Sequence, residues 1–456
     1  METESNVTES PVALGKELKE SGGRCNRSTL PTWGKVAVWC LRLIVGSVFL
    51  LSGLVKEIDL WGFVFKLEEY LTVWDMRQPR SLVLIFAMGV SAYELVFGFL
   101  LAAGCYKRFA PWVLTASMAV MLPLTAYIAF ANPVSDCGCF GDFWIIDNDW
   151  TFIKNLVLTG LLLVLLIYNP RVREGLFKPA IQWMVGALVT LYAIIVGLYG
   201  YNIQPMLDFR PFPPGTMLAQ DFDEDVDYMP MPGFIYEKDG ERREFPADVI
   251  PDSTWTFVER TGEELEDVLP PALTIYDGEA DVTDLAISSE GLEILLVIPE
   301  LRRADISYTY YLNELCEKAD SAGIPMVALI GDTSRGIEMW KDISMASYPC
   351  YSVENTRLKE LSRGIMSFVL LDSGRVVGKS TVSALAGGDN QEQDALLTVE
   401  HLKTTDHSSV FLWLSGIFAS ILFLLFLFQG LILALRASFR RRWRNKRSLY
   451  HADREG

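Results

Sequence analysis

Histidine is the scarcest chemical resource of this chain: three in 456 residues, against seven cysteines. No histidine lies near the one close pair of cysteines, and His401 and His407 are far along the chain, so a metal site built on that pair is disfavoured. No cofactor motif is present. No cleavable signal segment is expected, because residues 1–35 are polar and the first apolar run begins only at Val36. The stretch 132–150 has no Lys or Arg at all, although Asp136, Asp142, Asp147 and Asp149 lie in it. The formal net charge of -17 argues against a nucleic-acid partner.

What is present is apolarity in blocks. Mean hydropathy is positive even though 21% of residues are charged. Six segments are long enough to cross a bilayer, which takes about 20 helical residues. They lie near 36–55, 81–104, 109–131, 151–169, 181–203 and 409–435. Arg42 interrupts the first, whereas the last has no interior charge.

Lys and Arg placement sets the expected orientation. Basic residues gather in the tail before the first span (Lys16, Lys19, Arg24, Arg27, Lys35), in the turn at Lys107-Arg108, in the loop with Arg171, Arg173 and Lys178, and after the last span. Six alternating spans put all four on the cytoplasmic side. The acidic loop 132–150 and the long segment 204–408 then face outward. For a bacterial inner membrane this means a periplasmic 204–408 and cytoplasmic termini. The last basic cluster fixes orientation and meets anionic lipid heads.

The reading divides the chain into a cytoplasmic tail at 1–35, a five-span bundle at 36–203, a region at 204–269, an α/β domain at 270–400, a transmembrane helix at 409–435 and a basic cytoplasmic tail at 436–456. Within 204–232 six prolines exclude long helices, which suggests an extended linker along the membrane surface. Phe234–Glu241 ends in Asp239-Gly240, a hairpin signal. Strands are expected at Leu273–Gly278, Leu292–Ile298, Pro325–Ile330 and, as a hairpin, Phe368–Val377. A helix is expected at 305–322. Strand, helix, strand, helix, hairpin is an α/β order.

The chemistry concentrates in Asp136-Cys137-Gly138-Cys139-Phe140-Gly141-Asp142, between the third and fourth spans and on the side where disulfides persist. A bond between Cys137 and Cys139 closes a very small ring. Gly138 allows the tight turn that this needs. Residual strain would make such a bond an oxidant rather than a staple. Gly141 and Phe140 would hold the turn near headgroup level. The flanking aspartates oppose thiolate formation, so a cation must come from elsewhere. Lys56, at the outer end of the first span, is the best placed, with the start of the fourth helix near Trp150 and Thr151 as a second source. The bland alternative is a structural disulfide or an inert reduced pair.

Arg42 and Glu94 form a second constellation, since charges inside spans are costly and seek partners. The plain expectation is an ion pair that fixes helix packing. The functional one is a proton or quinone-headgroup contact. Cys40 and Cys105, near the cytoplasmic side, read as small packing residues, and Cys25 as a free thiol in the tail. Cys316 falls on the apolar face of the predicted helix. Cys350 follows Pro349, and a structural disulfide between these two is an open alternative.

Two resemblances follow from these residues. The order over 270–400, with Leu358-Lys359-Glu360-Leu361 before the last hairpin, resembles the thioredoxin fold. That family places Cys-x-x-Cys where this chain has Pro299–Asp305, and a cis-proline where it has Arg363–Ser367. The domain therefore reads as redox-inactive, a binding or positioning module. The string Arg42–Lys56, Tyr93–Gly98 and above all Cys137-Gly138-Cys139-Phe140-Gly141 resembles the DoxX-like superfamily, closest to its MauE (methylamine utilisation) branch, over about 36–170. The whole layout is similar to Bacteroidetes-type DoxX family proteins. The resemblance implies a four-to-five-helix membrane bundle associated with disulfide formation on exported proteins. Its thiol partner would be an exported thiol-containing protein or a periplasmic thiol carrier, and a quinone enters only as the electron acceptor that such chemistry needs. Catalysis by this chain is thus an open question. The competing readings are a non-enzymatic scaffold or assembly factor for an envelope partner, and a quinone-handling protein centred on Arg42 and Glu94.

Overall fold

The computed structural model describes residues 30–218 apart from 77, 135 and 173, then 233–238, 241–246, 254–260, 273–386 and 395–455. The first helix, α1, runs Thr32–Ile58 and spans about 40 Å at the helical rise. It stops at Asp59, whose backbone leaves the helical region and whose carboxylate accepts a hydrogen bond from Gly62 N at 3.0 Å. That cap starts α2 (Leu60–Val73), which is too short to cross a bilayer. It buries Leu60, Phe63 and Val64 against Val83 and Ala87. Four further spans follow: α3 (Arg80–Ala102), α4 (Phe109–Ala131), α5 (Asn148–Tyr168) and α6 (Gln182–Asn202). With a last helix at His407–Glu455, six helices among the described residues are long and apolar enough to cross a membrane. The spans agree with the six apolar segments; α2 is an addition that the sequence reading did not contain.

α1 and α3 lie in close backbone contact. A Cβ on Gly53 would come 2.6 Å from Ser91 O, and one on Gly98 would come 2.9 Å from Gly46 O. Small residues at such crossings let helices approach where lipid supplies no hydrophobic drive.

Outside the helical bundle, the described residues form two sheets. A three-stranded antiparallel sheet pairs β1 (Gly233–Lys238) with β2 (Glu241–Pro246) and β3 (Thr256–Arg260). The hairpin is the expected one, and its turn residues Asp239 and Gly240 lie outside the described residues. The larger sheet has seven strands. These are β4 (Ile275–Asp277), β5 (Ala280–Asp281), β6 (Leu292–Ile298), β7 (Met326–Ile330), β8 (Cys350–Val353), β9 (Ser367–Asp372) and β10 (Arg375–Thr381), in the order β10-β9-β6-β7-β8-β4-β5. β6, β7 and β8 are parallel, and β9 and β10 antiparallel to their neighbours. Parallel strands covered on both faces are apolar throughout, and β7 is buried along its whole length.

One face packs under α8 (Thr309–Ser321), α9 (Ser334–Ser344) and α12 (Ala395–Thr404). The other packs under α10 (Asn355–Leu361), beside the short α7 (Thr283–Ala286). A further short helix, α11 (Val382–Ala386), follows β10. Cys316 and Cys350 share the first core as free thiols, their hydrogen bonds going to Asp320 and to Tyr348 O.

The proline-rich stretch differs from expectation. Its described part, 204–218, does not run free along the membrane. Gly215 N and Leu218 N donate to Val376 O and Gly374 O, at 2.7 and 2.8 Å, and Phe212 is fully buried in the second core. Prolines cannot donate to a ladder, but the residues between them can. The last helix, α13 (His407–Glu455), extends well past the apolar 409–435.

Candidate functional site

The loop between α4 and α5 is tied at its ends. Asn132 ends α4 in the left-handed region, and Asn148 Nδ2 donates to Asn132 Oδ1 and to Val134 O, at 2.7 and 2.9 Å. Between those ties, Asp136 builds the turn. Its Oδ2 accepts from Gly138 N at 2.8 Å and its Oδ1 from Lys66 Nζ at 2.7 Å. Gly138 has φ +67°, a conformation costly for any side chain, and a Cβ there would press on the Lys66 methylenes. Gly141, at φ +53°, closes the turn by donating to Gly138 O.

This turn brings Cys137 Sγ within 3.2 Å of Cys139 Sγ, both free thiols. Tyr70 OH donates to Cys137 O at 3.0 Å, and Ser52 Oγ sits 2.6 Å from Cys139 O. Cys137 is 7% exposed, against Tyr70, Ile128 and Val134, and Cys139 is half-buried.

The two sulfurs are electrostatically unlike. Their mutual hydrogen bond pushes the Cys137 thiol up, and burial adds to this. The same bond pulls Cys139 below the ordinary thiol value; burial opposes that, and the Lys154 and Lys56 ammonium groups reinforce it. Both directions favour a thiolate at Cys139 over one at Cys137, an asymmetry that sulfur exchange can use.

Of the residues singled out in the sequence, Cys137, Gly138, Cys139, Gly141, Lys56 and Glu94 come together. Lys56 Nζ meets Glu94 Oε2 at 2.7 Å, and Ser52 Oγ lies 2.8 Å from the same oxygen. Arg42 does not join them. It turns to the opposite end of the bundle, bonding the Asn169 side chain and, at 3.1 Å, the Glu174 carbonyl. The expected Arg42–Glu94 pair is thus replaced. Glu94 lies beside Ser52, ten residues or about 15 Å along α1 from Arg42, beyond a side chain's reach. Carbonyls at the end of α5 satisfy the guanidinium, whose burial would otherwise be costly.

Three contributors were not read from the sequence: Lys66, Tyr70 and Lys154. The first two stand on α2. Lys154, nearly two turns into α5, carries a readable signal, a lone lysine inside an apolar span. Its ammonium lies 4.5 Å from the centre of the Phe140 ring.

The α/β domain touches this loop directly. Arg363, in the turn before β9, pairs with Asp59 at 2.7 Å and with Asp142. Burial pushes the Asp59 carboxyl up, but the Arg363 guanidinium outweighs it and holds Asp59 below the usual range. Around this contact, Arg303 bonds Glu68 at 2.9 Å, and Lys359 bonds Glu300 at 2.8 Å.

Comparison with known proteins places families on parts of the chain. Residues 34–168 match the model for Methylamine utilisation protein MauE, and residues 233–263 match a domain of unknown function, DUF8463. No curated protein matches the chain. Among solved structures, the Xanthomonas campestris bacterioferritin comigratory protein, determined in work on its alkyl peroxide reduction activity, is 18% identical over 28% of this chain and 87% of its own. The TM-score is 0.21, too low to carry an argument. Residues 34–168, four spans with the cysteine loop between two of them, are a MauE family domain.

Proposed function

We propose that this membrane protein exchanges disulfides with exported thiol proteins or a thiol carrier through Cys137 and Cys139. In this reading the chain sits in a bacterial inner membrane, with the cysteine loop and residues 204–408 on the periplasmic side. The observation that carries it is the pair of free thiols held 3.2 Å apart by the turn at Gly138, with the Lys56 and Lys154 ammonium groups drawing Cys139 toward the thiolate. In the oxidised pair, an incoming client thiolate attacks one sulfur and the other leaves. The better leaving group is the one whose thiolate is stabilised, which is Cys139. Attack then falls on Cys137: the Cys137–Cys139 bond breaks and a client–Cys137 bond forms. A second client thiol resolves it, leaving a client disulfide and a reduced Cys137/Cys139 pair.

The exterior α/β domain serves here as a positioning module. Its strand–helix order suggests a thioredoxin-like fold, yet the turn at Pro299–Asp305 carries no dithiol and the turn at Arg363–Ser367 no proline. Instead Glu300 and Arg363 meet Arg80 and Asp59 of the bundle. Trapping tests the assignment. Cys139→Ser should accumulate a mixed disulfide with a client through Cys137, while Cys137→Ser should accumulate far less. Absence of trapped species in both variants sinks the reading.

A second reading is a scaffold whose cysteine pair is inert. The burial of Cys137 beneath Tyr70 and the Arg363 contact favour it. It predicts that the double Cys→Ala variant still complements a deletion strain.

A further inference from the structure

Beside Cys139, inside the span region, lies a cavity of about 230 Å³ bounded by α1, α3, α4 and α5. Its wall has two kinds of residue. Phe86 and Val120 are 60% and 70% exposed on surfaces that face lipid, so the cavity opens sideways into the bilayer. At its other end stand Lys56, Glu94, Lys154 and Asn155, with Cys139 among them. Lys56 is 3% exposed and Glu94 7%, so a charged pair is held inside the bundle next to open space.

An occupant arriving from lipid must have an apolar body. To use the inner end it must also present acceptors to the Lys154 ammonium and the Asn155 amide. A saturated acyl chain has no such group. The cavity is smaller than a typical drug-sized pocket of roughly 300–1,000 Å³, which suits a single ring with its tail left in the bilayer. The neighbouring group is a reducing one. A ring with two carbonyls that takes two electrons meets all these conditions.

We propose that this cavity binds the headgroup of a lipid-soluble quinone and that the quinone reoxidises the Cys137/Cys139 pair. This rests on the dithiol reading of the preceding section and names its electron acceptor. A sulfur–sulfur bond forms between Cys137 and Cys139, and the S–H bond of Cys137 breaks. The thiol and thiolate give up two electrons, which reduce the quinone to the hydroquinone. Of the two protons that the hydroquinone gains, one comes from Cys137 and one from the Lys56 ammonium. Lys56 is reprotonated from the periplasmic side, with Glu94 holding it in place. Lys154 donates to a quinone oxygen as negative charge builds there.

The test uses the full-length protein in lipid nanodiscs, reduced and freed of reductant under anaerobic conditions. Decylubiquinone is added, and two signals are followed: quinol formation by absorbance, and the Cys137–Cys139 disulfide by alkylation and mass spectrometry. The expected result is one quinol per disulfide, with a rate that saturates in quinone. Val90→Trp, which fills the cavity without touching the cysteines, should slow this oxidation about tenfold or more, overpacking being poorly accommodated. Oxidation by water-soluble diamide should be unchanged in that variant, which also shows that it is folded. Lys154→Gln should lower the quinone rate with quinone binding largely retained.

The failures are distinct. If diamide closes the wild-type disulfide but decylubiquinone does not, the quinone assignment is overturned, the cavity holds only acyl chain and the dithiol reading survives. If Val90→Trp reacts with quinone at the wild-type rate, the cavity is not the site. If diamide cannot form the disulfide either, the dithiol reading itself falls.

Discussion

Lys154 is a lysine nearly two turns inside a span, a place where an ammonium is costly unless something uses it. Its neighbours are the Phe140 ring and, through space, the Cys139 sulfur. Removing the charge should return Cys139 toward ordinary thiol behaviour. The thiolate is the reactive form and dominates above the thiol's pKa. In the wild type, alkylation of Cys139 should therefore stay fast well below the ordinary value of 9.0, and fall off only as the pH drops through about 6. In Lys154→Gln the fall should begin at higher pH. A profile identical to the wild type would show that Lys154 does not act on the sulfur. Much at this scale was open to sequence reading. The Cys-Gly-Cys spacing, the glycine that turns it and the need for a cation all follow from local chemistry, and Lys56 was named. Lys66 and Tyr70 were not, because nothing in a linear string says that α2 folds back over a loop some seventy residues away.

Among elements, spans were legible because 20 apolar residues leave few alternatives. α2 was not. Its 14 residues mix Leu60, Trp61 and Phe63 with Lys66, Glu68 and Glu69, too few and too polar for a span. The segment 204–218 was misjudged for a related reason. Proline excludes helix but does not exclude docking along β10. The α1–α3 crossing makes a further prediction. Ser91 O lies 2.6 Å from where a Gly53 Cβ would be, and the obstruction is backbone, which cannot rotate away. Gly53→Leu should destabilise the bundle by about 1–3 kcal/mol or more, as overpacking does. Thermal unfolding in detergent measures it. Because Ser52 and Lys56 ride on the same helix, Cys139 should also lose its reactivity at low pH. An unchanged melting point would mean that the helices are not this close.

At the level of the whole molecule, the contact between Arg363 and Asp59 joins the seven-stranded sheet's domain to the bundle across some three hundred residues. Both side chains are nearly fully buried. Breaking one partner of such a pair costs about 3–5 kcal/mol, chiefly by leaving the other charge unpaired. Arg363→Gln should increase hydrogen exchange around 59–63 and 141–143 and make Cys137 easier to alkylate, while β6 and β7 stay protected. Asp59→Asn combined with Arg363→Gln should recover part of the loss. Equal exchange in all variants would rule out a clamp. No sequence pattern marks this pair, since charges so far apart become neighbours only through the fold.

The α/β domain is fastened at both ends. Just beyond α6, Ile203 O accepts from Thr381 N, and at the head of α13 His407 Nε2 lies 2.9 Å from Lys379 O, with its Nδ1 2.8 Å from Tyr199 OH. A domain held by two membrane anchors cannot diffuse away when Arg363 lets go. It stays at an effective concentration on the order of millimolar over the loop that it covers. Any thiol reagent that is to reach Cys137 competes against that standing presence, so the tether restores the cover after each opening and governs how often the loop is uncovered.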